Sequence, residues 1–131
     1  MSSRMSELRY AKFWYLLGLA LTLVVVVSSL VPPRDLPNTG LNDKAEHIIA
    51  YGGLALCFGG LVAPRRYLRL GLLLLALGGG MEIAQGLMGL GRTADWHDFY
   101  ADALGTAVGL ALCMAGLRHW ARWVELWLPP R

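Results

Sequence analysis

The sequence predicts an all-α integral membrane protein, a bundle of four transmembrane helices with a C-terminal amphipathic interfacial segment, in a single domain over residues 1–131. Three observations predict it. Hydrophobic residues make up 56% of the chain and charged residues only 16%, with a mean hydropathy of +0.47, far more apolar than a soluble domain of this length requires. The apolar residues gather into stretches of bilayer-spanning length. Three short polar clusters interrupt them: Asp43-Lys44-Ala45-Glu46-His47 with Tyr51; Glu82-Ile83-Ala84-Gln85; and Arg92-Thr93-Ala94-Asp95-Trp96-His97-Asp98 with Asp102. Ionisable side chains are expensive in such surroundings and mark functional sites by default.

The first span, 11–31, is an almost unbroken apolar run. Arg9 and Lys12 precede it as they would a secretory signal, but the run exceeds the roughly 7–15 residues of a signal core and no A-x-A-like cleavage site follows. It reads as a retained helix. The second span, 46–63, and the fourth, 98–117, reach full length only by drawing in polar flanks, which puts His47 and Asp98 at the headgroup boundary and Asp102 below it. The third, 68–88, carries Glu82 and Gln85 near its end. In the tail, 118–128, Trp120, Trp123 and Trp127 share one helical face while Arg118, Arg122 and Glu125 line the other, the pattern of an interfacial anchor.

Charge orients the bundle. Of the 12 Lys and Arg, Arg4, Arg9 and Lys12 precede the first span, Arg65, Arg66 and Arg69 lie around the second loop, and Arg118, Arg122 and Arg131 follow the last span. The positive-inside rule therefore predicts cytoplasmic termini and a cytoplasmic second loop, with all three polar clusters outside. The net charge of +3 is dispersed among juxtamembrane segments and gives no basis for nucleic-acid binding.

Helical spacing decides which residues can meet. Gly78, Glu82, Gln85 and Gly89 form one stripe, Asp98, Asp102, Gly105 and Gly109 repeat its offsets, and Asp43, His47 and Tyr51 follow at steps of four. Gly78, Gly105 and Gly109 are the expected packing glycines, since small residues let backbones approach closely. Glu82 lies about 21 Å along its helix from Leu68 at about 1.5 Å per residue, in the outer third of a core about 30 Å thick. His47, Glu82 and Asp102 are therefore expected to converge. Such groups either pair with one another and hold the helices in register, or form a binding or acid–base site with His47 as the proton acceptor.

Other chemistries find little support. The histidines and acids show no H-x-x-x-H or H-E-x-x-H spacing and the cysteines no paired spacing, so no metal is expected. Cys57 and Cys113 read as small packing residues. No nucleophile lies at a telling spacing from a base and no glycine-rich phosphate loop occurs, so no cofactor is expected.

Taken together, Asp43-Lys44-x-x-His47 with Tyr51, Glu82-x-x-Gln85, and Arg92 to Asp98 followed by Asp102-x-x-Gly105-x-x-x-Gly109 resemble the VanZ-like family of small bacterial membrane proteins, over nearly the whole chain. The resemblance implies a protein of the bacterial cell membrane associated with tolerance of the glycopeptide teicoplanin. It singles out Asp43, Lys44, His47, Tyr51, Glu82, Gln85, Arg92, Asp98 and Gly105. At Asp102 the chain departs from the family, which commonly carries Asn there. The expected function is a non-catalytic binding or accessory role at the cell envelope, with an outward pocket formed by these residues and Asp102. Lys44 and Arg92 at its rim would hold an anionic lipid headgroup or a lipid-linked cell-wall precursor. The alternative is a membrane-embedded enzyme modifying such a lipid, with His47 as base, Glu82 or Asp102 as acid, and Arg92 stabilising negative charge. Membrane lipids are the expected partners; the sequence does not set an oligomeric state.

Overall fold

In hydrocarbon every backbone polar group must be satisfied within its own segment or by a neighbour, and the apolar runs of this chain do so as helices. The computed structural model describes residues 7–89 and 94–130. Their helices are α1 (Ala11–Leu30), α2 (Asp43–Gly59), α3 (Tyr67–Met88), α4 (Trp96–Met114) and α5 (Trp120–Trp127), joined in part by short 3-10 turns, and no strand occurs among the described residues. The all-α class is as expected, but the boundaries shift. α2 starts three residues before the expected 46 because Asn42 caps it, its side chain accepting the Ala45 N–H at 2.7 Å. Asp43 and Glu46 in the first turn complement the helix dipole. Asp95 caps α4 in the same way, accepting from the His97 N–H at 2.9 Å, so α4 begins at Trp96 rather than 98.

Two helical segments are long and apolar enough to cross a membrane: α1, with a mean hydropathy of 2.2, and Pro64–Met88, with 1.5. α4 and α5 meet that standard only as a pair bent by 81°, with Gly116 at a φ of +129° at the break. Among the described residues there are thus two such segments, or three counting the bent pair, so membrane-spanning helices are present but the expected four are not all shown. Neither α2 nor α4 meets that standard alone, for local reasons: α2 is only 17 residues long, and the first turns of α4 carry His97, Asp98 and Asp102.

Backbone proximity organises the bundle. α2 and α4 meet through glycines: a Cβ on Gly109 would stand 2.6 Å from the Gly52 carbonyl oxygen and 2.7 Å from the Ala55 Cβ, and one on Gly105 would run into the Ile48 carbonyl. Gly78 brings α3 against α4, where a Cβ would lie 2.8 Å from Asp102 Oδ2. Tyr51, Leu54, Ala55 and Leu74 form the core beside these contacts. By contrast α1 buries only Trp14 and Gly18 and leaves a groove against α2.

The tail corrects one expectation. Glu125 does not line an outer polar face with Arg118 and Arg122 but is 5% exposed. It accepts from the Arg9 N–H (3.0 Å), the Tyr10 N–H (2.9 Å) and Trp14 Nε1 (2.8 Å). Those backbone groups lie just before α1, Tyr10 being its N-cap, where N–H groups have no partner within the helix. The tryptophans also divide. Trp120 packs edge-on against Trp14 at 5.3 Å and donates Nε1 to the Leu56 carbonyl at 2.8 Å, while Trp123 and Trp127 stay exposed. Cys57 and Cys113 are buried and are not joined in a disulfide.

Candidate functional site

The N-terminal turns of α2 and α4 and the C-terminal end of α3 lie together, so the polar clusters meet at one end of the bundle. His47 Nδ1 is 2.6 Å from Asp102 Oδ1, and Asp102 is 1% exposed. An ionised carboxylate only accepts, so with Asp102 ionised the ring proton resides on Nδ1 and Nε2 faces away. Nε2 faces two more acids, 3.7 Å from Asp98 Oδ2 and 3.9 Å from Asp43 Oδ1.

Lys44 binds the other oxygens of the same acids. Its ammonium donates to Asp98 Oδ1 and, at 2.8 Å, to Asp95 Oδ2, and stands 3.8 Å from Asp43 Oδ2. The Lys44 ammonium, helped by the His97 N–H, holds the Asp95 carboxyl well below the usual carboxylate range, at about 2. Lys44 is thus spoken for by acids of its own chain rather than free at the rim for an anion.

The third cluster braces the other two. Glu82, 1% exposed, accepts the Asp95 backbone N–H at 2.8 Å and so holds the residue that caps α4. This places it one step from the His47–Asp102 pair it was expected to join directly. Gln85 donates to the Ser29 carbonyl at 2.7 Å, satisfying one of the carbonyls that the end of α1 leaves open. Arg92 lies outside the described residues. Gly105 and Gly109 pack α4 on α2, and Gly78 packs α3 on α4, as described above.

Beside the cluster lies a cavity of about 210 Å³ between α1 and α2. Val24, Val25 and Leu36 supply apolar wall, and Asp43, Glu46, His47 and Tyr51 supply polar wall. Glu46 and Asp95 belong to the polar clusters of the sequence but not to the expected pocket, and Ser29 belongs to neither. Asp95 had a usable signal, an Asp immediately before a helical pattern, and Ser28-Ser29 interrupts an otherwise apolar run. Glu46 stands in the first polar cluster, but its place beside the groove depends on where α1 docks.

The chain matches no protein-family model, no curated protein and no solved structure. What the fold and site define is a class: an all-α protein with helices able to cross a membrane and a cluster of ionisable side chains at one end of its bundle.

Proposed function

We propose that this chain is a multi-pass protein of the bacterial cytoplasmic membrane, similar to the VanZ-like family, that binds the headgroup of a lipid or lipid-linked cell-wall precursor in an accessory role at the cell envelope. In this reading α1 to α4 are four spans, α5 lies along the surface, both termini are cytoplasmic, and the polar cluster faces outward. The observation that carries the proposal is the α1–α2 groove, whose apolar wall suits a chain and whose polar wall suits a head. Because Lys44 is committed to Asp95 and Asp98, the groove offers acceptors, favouring a headgroup that donates hydrogen bonds through hydroxyl or amine groups.

Topology is tested directly. A cysteine at Asn38 is expected to react with a membrane-impermeant thiol reagent in intact cells, and one at Arg66 only after lysis. The reverse pattern would invert the bundle.

A second reading has a specific observation in its favour. His47 held at 2.6 Å by buried Asp102 has the arrangement of a general base oriented by a carboxylate, so the protein would modify the lipid it binds. One experiment separates the readings. Lipids extracted with the purified protein are expected to include one retained species, lost at least tenfold in Val24→Trp, which fills the groove from an exposed position. An unchanged headgroup in cells with and without the protein supports binding alone. A new headgroup that vanishes in His47→Gln supports the enzyme. Equal lipid retention by Val24→Trp would remove the groove as the site.

A further inference from the structure

We propose that Asp43, His47 and Asp98 form a binding site for one first-row divalent metal ion, with Asp102 orienting the histidine. One ligand atom from each of the three residues lies within 4.8 Å of the others, and His47 Nε2 approaches Asp43 Oδ1 and Asp98 Oδ2. Metal–nitrogen and metal–oxygen bonds of about 2.0–2.2 Å place neighbouring donors of a tetrahedral ion about 3.4 Å apart. The separations from Nε2, 3.7 and 3.9 Å, need only a slight contraction to reach that value.

More than a gathering of acids points to an ion. The set contains an imidazole nitrogen, and the 2.6 Å contact of Nδ1 with Asp102 leaves Nε2 as the free ring nitrogen, the carboxylate–histidine arrangement found behind metal-binding histidines. Asp98 is 5% exposed; its Oδ2 lies 3.7 Å from Nε2, and its carboxyl group also meets that of Asp43, two acids that a cation between them would hold together. Lys44 does not occupy this point. It takes Asp98 Oδ1 and approaches Asp43 Oδ2, leaving the opposite oxygen of each carboxylate toward His47. The position also borders the groove through Asp43 and His47, which gives an entry path and open coordination positions.

One nitrogen and two carboxylate oxygens suit zinc or manganese rather than magnesium, which prefers oxygen ligands throughout. Spacing along the chain concealed the site because its ligands come from two helices: Asp43 and His47 share a face of α2, and Asp98 arrives from α4. The inference adds to the lipid-binding reading without resting on it, since its test contains no lipid.

The test is a calorimetric titration of the full-length, tag-free, chelator-stripped protein in detergent with Zn²⁺ alone, repeated with Mg²⁺. The expected result is saturable binding of one Zn²⁺ per chain, at least tenfold tighter than Mg²⁺. His47→Gln is expected to abolish it. Asp43→Asn, at a half-exposed position that leaves the fold intact, is expected to weaken it at least tenfold, and Asp102→Asn about 10–100-fold by loosening the histidine. His97→Gln and Asp35→Asn, at exposed acid–base or acidic positions elsewhere, are expected to bind as the parent does. Absence of one-to-one binding, or loss in His97→Gln with retention in Asp43→Asn, would overturn the proposal, leaving His47 simply as a partner of three carboxylates.

Discussion

Gly105→Leu is expected to leave no detectable folded protein, and Gly105→Ala to destabilise it by about 3 kcal/mol, the upper part of the usual range for overpacking. The reason is that the space beyond Gly105 is filled by backbone. A Cβ there would collide with the Ile48 carbonyl oxygen and come within 2.9 Å of the Ile48 Cα. A side chain rotates out of the way; a helix backbone does not. Relief requires α2 and α4 to separate along the seam that also contains Gly52 and Gly109, which would pull His47 from Asp102 and Lys44 from Asp98. Gly53, on the same α2 helix with nothing within 4 Å of a built Cβ, is the control: Gly53→Ala should melt like the parent. Thermal unfolding and the monodisperse yield after detergent extraction measure both. A Gly105→Leu protein as stable as the parent would mean that α2 and α4 do not meet as described.

The second large effect is at the opposite end. Glu125→Leu is expected to cost about 3 kcal/mol or more, because it leaves the N–H groups of Arg9, Tyr10 and Trp14 Nε1 without their acceptor, at about 1–3 kcal/mol for each group that water cannot reach. Glu125→Gln keeps one acceptor oxygen and should lose less. The interaction also carries a pH signature. Burial raises the Glu125 carboxyl, but the Tyr10, Trp14 and Arg9 N–H donors outweigh it and hold the folded value below the ordinary 4.5. A group depressed on folding contributes stability above its unfolded pKa and loses it as pH falls toward the folded value. The melting temperature of the parent is therefore expected to fall from about pH 5 downward more steeply than that of Glu125→Gln. Parallel pH profiles for the two proteins would show that the carboxylate is not held by those donors when charged.

Much of the arrangement was legible in the residues before any coordinates. The 3.6-residue period put Asp43 with His47 and Asp102 with Gly105 on single helical faces. The apolar runs implied helices, and each described run is helical over most of its length. The glycine stripes announced a close helix contact, which the Gly52–Gly105–Gly109 seam provides. These are short-range consequences of backbone geometry, so the local order of residues suffices to state them.

Partner choice is different. That Lys44 binds Asp95 and Asp98 rather than standing free, that Glu82 braces the Asp95 backbone rather than touching His47, and that Glu125 turns inward to α1 all depend on contacts between residues 13 to 116 positions apart. A helical wheel gives a residue's face but not the rotation or depth at which two helices dock. Docking is set by the whole interface, here by which glycines let backbones touch and which bulky residues hold them apart. The sequence by itself thus determined an all-α chain with apolar, bilayer-length helices and polar clusters at their ends. Only the tertiary structure decided which acid faces which base, because a hydrogen bond reaches about 3 Å and a rotation of one helix by a single residue position moves a side chain farther than that.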